Sequence, residues 1–171
     1  NKSGNSSKFN ATHTAFKNLP NVNELAWYTK FGDPHWDGDE LWTSMGHLKK
    51  HGMWFKKKSV LQAQGTYNTE SSNTGDLRKI YIGAIQNATI KQELPSVADI
   101  GNYFYLPALG WYQEDRLGGD GSVGFYWSSS AFHLDPRKAW LMYFNQSFVQ
   151  LYSFACEKGA IAQPFSDFGD N

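Results

Sequence analysis

Apolar and aromatic positions on both strand parities mark the last quarter of the chain, from Phe125 to Phe165. A strand sends successive side chains to opposite faces, so this run predicts three short strands, each about five to seven residues long, separated by turns. One parity, Trp140, Met142 and Phe144, then Val149 and Leu151, predicts a core face. The opposite parity of a half-solvated sheet should be polar. It is instead Leu141 and Tyr143, then Phe148, Gln150, Tyr152 and Phe154. Either the strands are buried on both sides or this second face is a recognition surface.

Upstream, Asn21 with Glu24 three residues on forms a capping box. It predicts a helix that presents Val22, Leu25, Ala26 and Thr29 on one face and ends near Gly32. Ser96 with Asp99 predicts a second, short helix through about Asn102, with Val97 and Ile100 facing inward. Met53-Trp54-Phe55 reads as a short buried strand, residues 65–79 as a loop, and Ile80–Ile85 as a strand or the start of a helix. Gly-rich 116–124 is a turn into the Phe125-Tyr126-Trp127 strand. The elements sum to an α+β architecture: two short helices around a small, twisted, mostly antiparallel sheet with much ordered loop.

Length sharpens this to one domain over 21–171, preceded by an Asn- and Ser-rich tail or linker over 1–20, because 171 residues are too few for two comfortable domains. The chain opens without Met or a signal peptide, so a processed or excised piece is expected, with any anchor outside it. Sixteen basic residues balance sixteen acidic ones, and no net field favours nucleic acid or an anionic membrane. No apolar run approaches the roughly eighteen residues of a membrane span. Cys156 is the single cysteine, which excludes an intrachain disulfide. Seven Trp, nine Tyr and twelve Phe exceed what a core of this size needs, which leaves rings for a surface. Asn-X-Ser/Thr triplets such as those at Asn5, Asn10, Asn87 and Asn145 are read as chance.

Candidate chemistry is sparse. Asp33, Asp37, Asp39 and Glu40 beside His35 invite a calcium reading, but the spacing is not that of an EF-hand, and carboxylates capping turns over Trp36 and Trp42 account for them better. His13, His35, His47 and His51 lack zinc spacing. Lys49, Lys50, Lys56, Lys57 and Lys58 read as a solvated face. Ser128-Ser129-Ser130 lacks the glycine pattern of a nucleophile elbow, so its hydroxyls are expected to satisfy backbone groups at a strand end. No catalytic set, metal site or cofactor is predicted.

The pattern Phe125-Tyr-Trp-Ser-Ser-Ser130, then Ala139-Trp140-x-Met142-x-Phe144, Val149-x-Leu151 and a closing Gly159 through Pro164-Phe165 resembles C-type-lectin-fold domains of Bacteroidetes surface proteins. These are similar to the variable proteins of diversity-generating retroelements and distantly to formylglycine-generating enzymes. The likeness is specific over roughly 103–165. It implies a C-type-lectin-like fold whose face at about 131–158 meets a ligand. In that family, adenine-directed mutagenesis of Asn codons rewrites outward positions. Phe132, His133, Leu134, Asp135, Pro136, Arg137, Leu141, Tyr143, Phe148, Tyr152, Ser153, Phe154, Ala155 and Cys156 are all reachable products, whereas Gln146, Gln150, Glu157 and Lys158 are not. Gln163 stands where the family commonly has Arg.

The resemblance implies a non-catalytic adhesion or receptor-recognition domain displayed on a cell surface or phage particle. Its ligand would be a protein or glycan on another cell or host surface, held by Phe132, His133, Leu134, Asp135, Arg137, Leu141, Tyr143, Gln146, Phe148, Gln150, Tyr152 and Phe154. The sugar-binding triplets of calcium-dependent lectins are absent, and one cysteine does not supply the pair that the related enzymes use. The rival expectation is an assembly domain, such as a pilus subunit, whose aromatic face is covered in an oligomer.

Overall fold

In the computed structural model of the protein, residues 11, 13–44, 46–113, 116–157, 159–162 and 165 are described. Residues 1–10 of the expected tail, Lys158 and Gln163 lie outside them. After a single turn, α1 (Thr14–Lys17), the main helix α2 runs over Val22–Phe31. The Asn21 side chain accepts hydrogen bonds from the amides of Asn23 and Glu24, and Glu24 accepts one from the Asn21 amide, so the predicted capping box is formed. Gly32 ends the helix. Val22, Leu25, Ala26 and Thr29 are buried, as predicted, and so are Asn23 and Tyr28.

Among the described residues nine strands follow: β1 (His35–Ser44), β2 (His47–Lys56), β3 (Ile85–Asn87), β4 (Tyr103–Pro107), β5 (Trp111–Gln113), β6 (Arg116–Gly118), β7 (Val123–Ala131), β8 (Lys138–Asn145) and β9 (Val149–Ala155). A short helix α3 (Lys58–Ala63) lies between β2 and β3. The strands form a three-stranded sheet β1-β2-β4, a four-stranded sheet β3-β9-β8-β7 and the hairpin β5-β6, all antiparallel within each sheet. The protein is therefore α+β, mostly antiparallel, with one main helix.

The main core lies where α2 meets both larger sheets. Val22, Leu25 and Tyr28 from α2 join Met53 and Phe55 from β2, Phe104 and Leu106 from β4, and Trp140, Met142, Phe144, Val149 and Leu151 from β8 and β9. The predicted core parity is the observed one. Side chains of this class contribute roughly 1.5–3 kcal/mol each on full burial. Phe144 stacks on Tyr126 at 5.9 Å and 12°, a packing that needs Gly124 because a Cβ there would collide with the Phe144 ring.

Three expectations fail locally. The Ser96–Asp99 contacts form, with Ser96 Oγ accepting from the Asp99 amide at 3.2 Å, yet only a 3-10 turn over Ile100–Asn102 follows and Val97 is 96% exposed. The β-prone aromatics after Asn102 are drawn into β4, which pairs with β2, and tertiary pairing overrides the helix signal. Ile80, Tyr81 and Ile82 are exposed loop, and only Ile85 enters a strand. Met53-Trp54-Phe55 is the inner end of a ten-residue strand whose partner, β1, contains the acidic stretch read as turns. A bulge between Asp37 and Leu41 reconciles the two readings: Asp37 Oδ1 accepts from the amides of Asp39 and Glu40, each at 2.9 Å.

Loop 65–79 is held by polar contacts. Arg78, with its side chain only 8% exposed, donates to Asp76 at 2.7 Å and to Glu70 at 2.9 Å. Asn23 of α2 donates to Asp76 and accepts from the Leu77 amide, each at 2.9 Å. Burial alone would push the Asp76 carboxyl up, but hydrogen bonds from Arg78, Asn23 and Lys79 outweigh it and hold the group well below the usual carboxylate range. Asp76→Asn is expected to cost about 3 kcal/mol, because Arg78 stays buried without its main partner. The folded pKa is the lower one, so the contribution of Asp76 is complete above its unfolded value of about 4 and declines as pH falls below it. Urea unfolding followed from neutral pH to about pH 3 should show wild type converging on Asp76→Asn. Parallel curves would mean that the carboxylate does not hold the loop.

Candidate functional site

The site is built by register in the four-stranded sheet. Phe125 pairs with Tyr143 and Tyr143 with Gln150; Trp127 pairs with Leu141 and Leu141 with Tyr152. These residues share the outer face, opposite the main core. Leu19, Trp127 and Leu141 form a second, smaller core there, with Phe16 of α1 and Ala160 packed beside it. Leu141 is 0% exposed. It is therefore no ligand contact, contrary to expectation: the segment before α2, which also bonds β7 through Ala11 N–H to Ser129 O at 2.7 Å and Ser129 N–H to Pro20 O at 2.9 Å, covers that part of the sheet.

Beside this covered part, Phe125, Tyr143, Gln150, Tyr152 and Phe154 line an open cavity of about 220 Å³. The rings support one another. Phe125 lies 4.9 Å from Tyr143 in an edge contact and 5.9 Å from Phe154, while Tyr152 lies 6.0 Å from Phe154. Tyr152 is 49% exposed, and the other rings are half-buried. Phe148, half-buried, closes on Tyr143 at 5.4 Å. The Tyr143 hydroxyl accepts from Asn145 Nδ2 at 2.9 Å, which fixes its ring. Phe125 was not among the expected site residues. Its parity in the strand was readable, but the register that sets it against Tyr143 was not.

The remaining expected residues are elsewhere. Phe132 packs edge-on against Trp140 at 5.2 Å and Tyr81 at 5.9 Å, on the main-core side, after a bulge between Trp127 and Ala131 changes the face. His133 lies against Phe132, and its Nδ1 is buried without a hydrogen-bond partner. Leu134 is 63% exposed. Asp135 and Arg137 form a solvated pair at 3.0 Å, in which hydrogen bonds from Arg137 hold the Asp135 carboxyl below its ordinary value. Gln146 donates to Gln92 Oε1 at 3.0 Å and lines a different cavity. The twelve expected residues are thus not one face. Four of them, Tyr143, Gln150, Tyr152 and Phe154, line the aromatic cavity.

A neighbouring cavity of about 310 Å³ on the outer face is lined by Phe16, Trp127, Ala139 and Cys156 among others, and Ala139 pairs with Phe154 at the edge of the first. Burial pushes the Cys156 thiol up, with the Asp135 charge adding to it, so the sulfur is a protonated wall at neutral pH. Two of the three serine hydroxyls are engaged as expected: Ser130 Oγ accepts from the Val22 amide at 3.1 Å, and Ser128 Oγ accepts from the Ser130 amide at 3.0 Å. Asp33 accepts from Lys91 and from the Tyr103 hydroxyl. Asp37 accepts the Trp54 indole N–H in addition to its two amides, which agrees with the capping reading of this carboxylate. Among the described residues, no group of three or more His, Cys, Asp or Glu is arranged to hold a metal ion, and no helix is long and apolar enough to cross a membrane.

Compared with family models, with curated proteins and with solved structures, the chain matches none.

Two single substitutions separate the covered and open parts of the outer face. Leu141→Ala is expected to cost about 2–5 kcal/mol, the range for a truncated core leucine. Tyr152→Ala should cost less than about 1 kcal/mol. Chemical denaturation of both variants checks this, and equal losses would mean that Tyr152 is covered too.

Proposed function

We propose that the chain is a non-catalytic recognition domain of a surface-displayed protein, C-type-lectin-like in fold, that grips a protein ligand by seating an apolar side chain among Phe125, Tyr143, Tyr152 and Phe154. One observation carries this reading: rings stand open around a preformed cavity beside the part of the sheet face that Leu19, Trp127 and Leu141 close. Rigid aromatics supply contact area at low entropic cost, and their mutual packing pre-organises them. The cavity volume suits one leucine- or phenylalanine-sized side chain. Its polar side-chain groups are the hydroxyls of Tyr143 and Tyr152 and the Gln150 amide, so few directional bonds accompany apolar contact. That balance favours a protein side chain over a glycan at this position.

If a retroelement diversifies the gene, the exposed Leu134, Arg137 and Tyr152 are positions where variation costs the fold little, and Leu141 is one where it costs much. An assembly domain would use the same rings against a sister chain. Light scattering on the purified protein, together with peptide display selected on wild type and counter-selected on Tyr152→Ala, distinguishes the two. The expected result is one chain per particle and peptides with a recurrent Leu, Phe or Trp that bind Tyr152→Ala at least about tenfold more weakly, or about 1.4 kcal/mol. Self-association abolished by Tyr152→Ala would establish the assembly role instead. Neither self-association nor selectable peptides would remove the face as a binding site.

A further inference from the structure

A third cavity, of about 500 Å³, sits on the β1–β2 hairpin and is lined by Trp36, Asp39, His51, Gln92, Ser122 and Gln146, with backbone from the glycines beside them. Three features build it. The β1 bulge displaces Gly38–Glu40 from regular pairing, and the Asp37 carboxylate locks it through the Asp39 and Glu40 amides and the Trp54 indole. Opposite the bulge, His51 holds a φ of 79°, a left-handed conformation that costs a side-chain-bearing residue of order 1–3 kcal/mol and must be imposed by its surroundings. Its Nδ1 donates to the Gly121 carbonyl at 2.5 Å, and the ring tilts over Trp36 at 5.8 Å. The Lys49–Asp120 ion pair, at 2.5 Å, ties the glycine turn to the hairpin. The third wall is the Gln92–Gln146 pair, in which Gln146 Nε2 donates to Gln92 Oε1 and Gln92 Nε2 donates to the Gln146 carbonyl.

Once these bonds are made, the wall still presents unused groups. The exposed Asp39 carboxylate, the Ser122 hydroxyl and Gln146 Oε1 make no hydrogen bond among the described residues. Because His51 Nδ1 faces a carbonyl and donates, Nε2 is the ring nitrogen that carries the lone pair in that tautomer. No Lys or Arg lines the cavity. We infer that this cavity binds a neutral, hydroxyl-rich ring: one or two units of a saccharide, held by its vicinal hydroxyls. Hydroxyls donate to Asp39, His51 and Gln146 and exchange both roles with Ser122. An apolar side chain would leave those acceptors desolvated and unpaired, and an anion would meet a carboxylate with no cation to balance it. The site is separate from the aromatic cavity and independent of what that cavity binds.

The test is saturation-transfer NMR of the purified protein against the methyl glycosides of glucose, galactose, mannose, fucose and N-acetylglucosamine, with methylammonium as an amine probe. At least one glycoside should be saturated at its ring protons. Asp39→Asn and Gln146→Ala should each weaken that binding at least about fivefold at unchanged melting temperature, because both side chains are exposed. Tyr152→Ala should leave it unaltered. Saturation of no glycoside, saturation that survives Asp39→Asn combined with Gln146→Ala, or a preference for methylammonium would each overturn the assignment. Loss of sugar binding in Tyr152→Ala would move the sugar to the aromatic cavity.

Discussion

Everything in this molecule depends on a sheet that is apolar on both faces. Along β8 every residue from Ala139 to Phe144 is apolar or aromatic, so the pleat commits Trp140, Met142 and Phe144 to one side and Leu141 and Tyr143 to the other. Each side then needs cover. The ten-residue α2 and the three-stranded sheet cover the inner side completely. The outer side receives the four residues of α1 and the chain around Leu19 and Ala160. A four-residue helix rises about 6 Å, whereas an eight-residue strand extends about 26 Å, so α1 can shield only part of β8. What remains open is the row that begins with Phe125 and Tyr143. The register is firmly set, since a slip of one residue would exchange the buried Met142 and Phe144 with Leu141 and Tyr143 and strand the core of α2.

A second constraint explains how so much loop stays ordered. Loop 65–79 adds only a few apolar groups to the core, chiefly Leu77, and it is held to α2 by a polar network in which Asn23 sits fully buried between Asp76 and the Leu77 amide. Tyr67 extends the same attachment by donating to Glu24, the residue that also closes the helix cap, at 2.6 Å. One carboxylate thus terminates a helix and fixes a loop. A buried asparagine on a core-facing helix is favourable here because both ends of its amide are satisfied.

Local signals were legible in the sequence where the physics is local. The Asn21–Glu24 box placed α2 to within a residue, since a cap depends on side chains three positions apart. The parity of Trp140, Met142 and Phe144 located the core side of β8, since the pleat needs nothing beyond its own strand. Val97 misled because the same Ser96–Asp99 spacing that caps a helix also closes a single turn, and the pairing of Tyr103–Pro107 with β2 decided between them. Eight of the twelve expected residues lie outside the aromatic cavity, and Phe132 is among them for a similar reason. Phe132 and Tyr143 share a sequence segment, yet a bulge after Trp127 puts them on opposite sides of the sheet, and bulges are set by partner strands. Leu141 looked outward correctly and is nevertheless buried, because its cover comes from residues more than a hundred positions earlier in the chain.

The two cavities differ in chemistry because they arise from different kinds of backbone. Regular pleat, with its hydrogen bonds already paired along the ladder, leaves side chains free to be rings, and the outer face accordingly offers contact area with little direction. Irregular backbone leaves amides and carbonyls that must be satisfied locally. The β1 bulge needs Asp37, the left-handed His51 needs the Gly121 carbonyl, and the β8–β9 turn brings Gln146 against Gln92. Such places collect carboxylates, amides and imidazoles for structural reasons, and the lone pairs left over point into whatever space the irregularity opens. A period-two strand therefore offers contact area, and an interrupted strand offers directed polar groups. Both arise from the same requirement that no buried backbone group go unpaired.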